Sequence, residues 1–128
     1  MLMSVLAVVP DLYFATRIAA TANAIGVRLD LVAPQHAVGR LGEPGVSLII
    51  VDLNGSAGST LVGELKRAAP GIPLVGFFSH VETALKRDAI AAGADAVLPR
   101  SQFVSRLPTL LERGLAALAP ADRGSPGS

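Results

Sequence analysis

The chain has 128 residues, the size of one domain with one core, and no internal boundary is expected in it. Hydrophobic residues make up 51% and charged ones only 16%, and Ala, Val, Leu and Ile rather than aromatics dominate, which suits a buried sheet faced by helices. A net charge of +1 with acids and bases interleaved excludes the electrostatic footprint of a nucleic-acid or anionic-membrane binder, while the absence of cysteine excludes disulfides and thiolate metal sites and agrees with a reducing, cytoplasmic setting.

Met1 to Val9 is apolar apart from Ser4 and stops at Pro10. It lacks a basic flank and is too short to span a bilayer, so Met3–Val9 reads as a strand buried on both faces. Asp11 caps a helix running to about Ile25, where Gly26 stops it. Arg28–Val32 is a more polar strand, expected at an edge, and Pro34 opens a short helix to about Leu41 that Gly42, Pro44 and Gly45 break. Val46–Val51 is the most hydrophobic strand and is expected at the centre.

Asn54–Gly58 reads as a loop, with Ser59 capping a helix to about Ala69. Pro70, Gly71 and Pro73 make the next turn, Leu74–Phe78 the fourth strand, and Val81–Ala92 a helix that Gly93 stops. Ala96–Leu98 is a short fifth strand. A loop or single turn around Ser101–Arg106 then leads to a last helix, with Pro108 in its first turn and its end near Leu118. Pro120–Ser128 is composed of Gly, Ser, Pro, Ala and charge and is expected to be a disordered tail.

Five strand–helix units with short loops require parallel strands and right-handed crossovers. In such open sheets chemistry lies beyond the carboxyl ends of the strands. The segments to inspect are therefore Pro10–Asp11, Asp52–Asn54, Phe78–His80 and Pro99–Ser101.

Asp52 is the sharpest feature, because it follows Leu48-Ile49-Ile50-Val51, where an acid is costly unless solvated, paired or bound to a cation. Asp11 ends the first strand, the expected neighbour of the third. Two carboxylates at adjacent strand ends suit a hard cation, completed by a backbone carbonyl and water. Equally, Asp11 caps its helix and Asp52 braces the following turn. His80 beside Ser79 has no evident orienting acid and reads as a polar loop histidine, and His36 as an exposed one. Gly55 and Gly58 follow a strand without a phosphate-loop Lys or dinucleotide spacing. Lys86, Arg87, Arg100 and Arg106 read as solvated faces, and Phe103 as core.

The strand ending Ile-Ile-Val-Asp-Leu-Asn, Pro-Gly-Ile-Pro before the fourth strand and Ala-Gly-Ala-Asp before the fifth resemble the receiver domain of bacterial response regulators. The resemblance covers about Met3 to Leu118. It implies a CheY-like, flavodoxin-like three-layer α/β fold, a doubly wound sheet of five parallel strands in order 2-1-3-4-5, with the domain over residues 1–118 and the tail over 119–128. It makes Asp52 the phosphoacceptor candidate, and Asp11, Asp52 and Asn54 (through its carbonyl) the ligands of a magnesium ion. The acid pair after the first strand is here Pro10-Asp11, one acid short. Phe78 falls where receivers carry a hydroxyl, with Ser79 one residue later, and Arg100 replaces the usual Lys, followed by Ser101 instead of proline. Ser79 and Arg100 are thus the candidate phosphate contacts, and magnesium is expected to bind weakly or not at all.

These departures imply a degenerate receiver, or pseudo-receiver. The expected role is a cytoplasmic, stand-alone signalling module without catalytic residues and without an output domain. It would act through a protein partner, such as a histidine kinase or an output protein, or through a homodimer, independently of phosphate. Receivers commonly use the fourth and fifth helices and the strand between them for such contacts. The competing expectation is a working response regulator phosphorylated on Asp52 by a histidine kinase. A small-molecule-binding flavodoxin-like domain is a third class, for which no phosphate cradle is present.

Overall fold

The computed structural model describes residues 4–55, 58–79 and 83–118. Its sheet is built from the continuous apolar runs. Strands β1 (Ser4–Val8) and β4 (Leu74–Phe78) are buried throughout, and β3 (Val46–Asp52) is buried over Leu48–Val51. A parallel strand covered on both faces has no solvent side to keep polar. With β2 (Arg28–Leu31) and β5 (Ala96–Pro99) the strands are all parallel, in the order β2-β1-β3-β4-β5. This is the CheY-like, flavodoxin-like topology that the sequence implies. Val8 pairs with Val51 and Ile50 with Val75, and Val8, Ile50 and Val75 are all buried at the centre of the sheet.

Alternation along the strands sends side chains into two layers. Val5, Ala7, Leu48, Ile50, Val75, Phe77 and Leu98 meet helices α1 (Leu12–Ala24) and α5 (Arg100–Arg113). Val8, Ile49, Val51, Leu53, Leu74, Phe78 and Val97 meet α2 (Pro34–Arg40), α3 (Gly58–Ala68) and α4 (Thr83–Ala91). Each fully buried aliphatic or Phe side chain contributes about 1.5–3 kcal/mol of transfer free energy. Among the described residues no helix is long and apolar enough to cross a membrane.

Both rims of the sheet are short. On β2, Asp30 lies 3.5 Å from the Arg28 guanidinium and 3.5 Å from that of Arg40 on α2. On the other rim, β5 ends in Pro99, which has no N–H to offer a neighbour.

The helix stops fall at Gly26 and Gly93 as expected. After α4 the Gly93 N–H donates to the Ile90 carbonyl at 3.0 Å and the Ala94 N–H to that of Ala89 at 3.0 Å. This closure needs the left-handed φ of +116° that glycine adopts without a Cβ penalty. A second glycine is required for space: a Cβ on Gly76 of β4 would lie 2.9–3.1 Å from Cγ and both Cδ atoms of Leu53. Leu53, the residue after Asp52, is thereby seated flat on β4, and its N–H donates to the Phe77 carbonyl at 2.8 Å.

Lys66 joins the far ends of the same elements. Its ammonium donates to the carbonyls of Pro70 (3.2 Å) and Ile72 (2.9 Å) and to Asp95 Oδ2 (2.9 Å), which also accepts from the Leu74 N–H at 2.8 Å. Asp95, the acid of Ala-Gly-Ala-Asp, thus pins the approach to β5 onto the start of β4.

The sequence reading errs at the last helix. Instead of a loop at Ser101–Arg106, α5 begins at Arg100, carries Pro108 in its interior, and gives way to a 3₁₀ turn over Gly114–Ala117. Phe103, Leu107, Leu110 and Leu111 form one buried stripe at helical spacing. Their burial outweighs the one backbone hydrogen bond that Pro108, exposed on the outer face, cannot make. Ser59 lies inside α3 rather than before it. The expected start of α4 at Val81, His80 and the tail from Pro120 lie outside the described residues.

Candidate functional site

Beyond the carboxyl ends of β1, β3, β4 and β5 the polar residues gather. After β1, Pro10 breaks the ladder and Asp11 turns the chain into α1, its Oδ1 accepting the Phe14 N–H at 3.2 Å. That bond satisfies one of the unpaired donors of the first turn. The other oxygen, Oδ2, lies 3.9 Å from Arg100 Nη2.

Asp52 ends β3, half-buried. Its Oδ1 accepts the Asn54 N–H at 3.0 Å, and the Gly55 N–H donates to its carbonyl at 3.1 Å, so the carboxylate braces the turn that follows it. Burial pushes its carboxyl above the ordinary carboxylate value. The Asn54 N–H and the Arg100 charge oppose that rise, and the charge of Asp11 adds to it. Asp52 therefore sits within electrostatic reach of both Asp11 and Arg100.

The Asn54 side chain crosses to β4, where Oδ1 accepts the Ser79 N–H and, at 3.2 Å, the Ser79 hydroxyl. Phe78 points away into the layer beneath α3 and α4 and is only 9% exposed. Of the two residues at the hydroxyl position, Ser79 is the one at this edge, and its hydroxyl donates to Asn54.

Arg100, the first residue of α5, is not a freely solvated charge. Its guanidinium carbon lies 3.8 Å from the centre of the Phe14 ring, a cation–π stack worth about 0.5–2 kcal/mol. Beneath it, Phe14 meets Phe77 at 5.1 Å between centroids, and Phe77 stacks on Phe103 at 4.5 Å. Phe77 is also the register partner of Asp52. This aromatic floor escapes a reading of motifs, although Phe14 falls one helical turn after Asp11. The adjacent Phe77 and Phe78 send one ring to each side of the sheet. His36 is exposed on α2, and Lys86 and Arg87 are exposed on α4.

These residues do not suit a magnesium ion. Among the described residues there is no group of three or more His, Asp or Glu side chains placed to hold a metal. One oxygen of each carboxylate is taken by a backbone N–H, and the free oxygen of Asp11 faces a guanidinium. A divalent ion placed there would meet a like charge and an incomplete oxygen set.

No protein-family model matches the chain, and no curated protein matches it. Solved structures do. A two-component response regulator from Clostridium difficile superposes with a TM-score of 0.73 at 19% identity, covering 87% of this chain and 97% of that one. Chemotaxis response regulator CheY4 of Vibrio cholerae gives 0.75 at 20% identity over 90% of this chain and all of its own. A putative pilus assembly-related protein from Burkholderia pseudomallei gives 0.70 at 20% identity, covering 94% and 95%. The chain has the response-regulator receiver, or CheY-like, fold.

Proposed function

We propose that this chain is a receiver-fold signalling module of the cytoplasm that works by binding a protein partner and does not depend on phosphate at Asp52. The observation that carries this reading is the arrangement at the end of β4. The position matching the receiver hydroxyl is Phe78, buried in the core, and the nearby Ser79 hydroxyl is bound to Asn54. A ligand shifts a conformational equilibrium only by its differential affinity for the two states. A phosphoryl group on Asp52 would find the hydroxyl engaged and the cation stacked on Phe14, and so would have little leverage. The module acts as a binding surface rather than a catalyst, with a kinase, an output protein or a second copy as the partner class.

A second reading has one observation in its favour: Asp52 ends the central strand with its carboxylate only partly buried, as a phosphoacceptor must. Incubation with acetyl phosphate and magnesium, followed by intact mass measurement, separates the two. The proposed reading expects no stable phosphoryl adduct. A stoichiometric adduct that disappears in Asp52→Ala would replace it with the phosphoacceptor reading.

A further inference from the structure

Beyond α5 the chain turns back on itself. Gly114 ends the helix with φ +62° and ψ −140°, a backbone shape that residues with a side chain rarely take. Nothing lies within 4 Å of the place its Cβ would occupy. The 3₁₀ turn over Gly114–Ala117 has no buried residue, and its main packing neighbour is α5. Leu118, only 4% exposed, then drops back into the layer that holds Leu110 and Leu111. Its N–H donates to the Leu115 carbonyl at 3.0 Å. A little-buried turn is thus strung between a glycine pivot and one buried anchor.

Beside the turn lies an unfilled cleft of about 170 Å³. Ser47 and Leu48, near the start of β3, and Pro73, just before β4, wall one side, and residues 110–115 wall the other. Empty space therefore lies between the turn and the starts of these strands. A segment with few buried apolar contacts and low neighbouring density opens at a smaller free energy than the core it rests on. Burial of Leu118 is the main contact that such an opening gives up.

We propose that residues 114–118 form a strap that opens as a unit about Gly114 while the five-stranded core stays folded, with Leu118 as its latch. Opening removes one wall of the cleft and leaves an apolar groove along Leu48, Leu110 and Leu111. A partner that takes hold of the strap gains a surface that the closed domain hides. The strap lies at the amino edge of the sheet, the opposite end from Asp52, so the inference holds whether or not Asp52 accepts phosphate.

Hydrogen exchange of the full chain, followed amide by amide by NMR, reads the opening. The Leu118 N–H is bonded and its residue buried, so it exchanges when the strap opens. Corrected for intrinsic rates, it should exchange roughly tenfold or more faster than the amides of Ile50 and Val75 in the sheet. Sub-denaturing urea should speed exchange at Ile50 and Val75 steeply and at Leu118 hardly at all, because opening the strap exposes little surface. Leu118→Ala removes the latch, and Gly114→Ala strains the closed pivot without adding a contact there. Each should speed exchange at position 118 by roughly tenfold or more. An anilinonaphthalene sulfonate dye should bind Leu118→Ala saturably and shift the amide signals of Leu48 and Leu111. Exchange at Leu118 that matches Ile50 and Val75 in rate and urea dependence would overturn the proposal. So would folded variants with unchanged exchange at position 118, or dye that leaves Leu48 and Leu111 unmoved.

Discussion

The Asn54 side chain accepts both the N–H and the hydroxyl of Ser79, so the turn after β3 and the end of β4 are held by one carbonyl oxygen. Asn54 is in turn fixed by its own N–H to Asp52. Replacing Asn54 by Ala should cost about 1 kcal/mol of stability, the usual net value of such bonds at a partly exposed site. The amide of Ser79 should also exchange faster with solvent deuterium. Unchanged exchange at Ser79 would show that the contact does not persist in solution.

Burial raises the Asp52 carboxyl above its ordinary 3.8, so the folded chain holds this proton more tightly than the unfolded chain does. Between 3.8 and the folded value, stability should fall as pH rises. The contribution is complete below 3.8 and is lost as pH climbs through the folded value. Asp52→Asn keeps the acceptor for Asn54 without the charge. It should melt above wild type at neutral pH, with the gap narrowing on acidification. A gap that does not change with pH would count against a desolvated charge.

Gly76→Ala should destabilise by about 1–3 kcal/mol, the cost of forcing extra atoms into a packed core. The new Cβ meets the whole end of the Leu53 side chain rather than one flexible tip. Because the clash is with that one side chain, Leu53→Ala should be less harmful in the Gly76→Ala background than alone. Additive losses in a double-mutant cycle would contradict the contact.

Ile50→Ala should cost about 2–5 kcal/mol in chemical denaturation, since Ile50 is fully buried on the central strand. A loss under about half a kilocalorie would be incompatible with that placement.

Lys66→Met should cost about 1–3 kcal/mol, because it strips a charged donor from two carbonyls and from Asp95 while keeping the apolar stem. Asp95→Asn, which still accepts from Leu74, should lose less. The reverse order would mean that the carboxylate, not the ammonium, organises this corner.

The strands and their central placement were legible because continuous apolar runs admit only a two-sided burial, and Gly26 and Gly93 marked helix ends through their own backbone chemistry. The start of α5 was not legible. Pro108 argues locally for a helix beginning, and only the stripe from Phe103 to Leu111 against the sheet overrides it. Strand-end position singled out the segments that hold Asp11, Asp52, Asn54, Ser79 and Arg100, and the receiver resemblance supplied their candidate roles. Their pairing was not legible, because it depends on where side chains point. A run such as Leu74–Phe78 has no polar alternation to show that Phe77 faces α1 and α5 while Phe78 faces α3 and α4. The stacking of Arg100 depends on Phe14, 86 positions away in the chain, which no local pattern connects to it.

The two rims of the sheet carry a consequence for assembly. A peptide adding itself beside β2 would find four residues of ladder and the charges of Arg28, Asp30 and Arg40 along the way. One approaching β5 would find four residues ending in a proline. Neither border offers the long, flat template on which chains polymerise edge to edge. For a chain this rich in aliphatic residues, the strand borders therefore give fibril growth little to pair with.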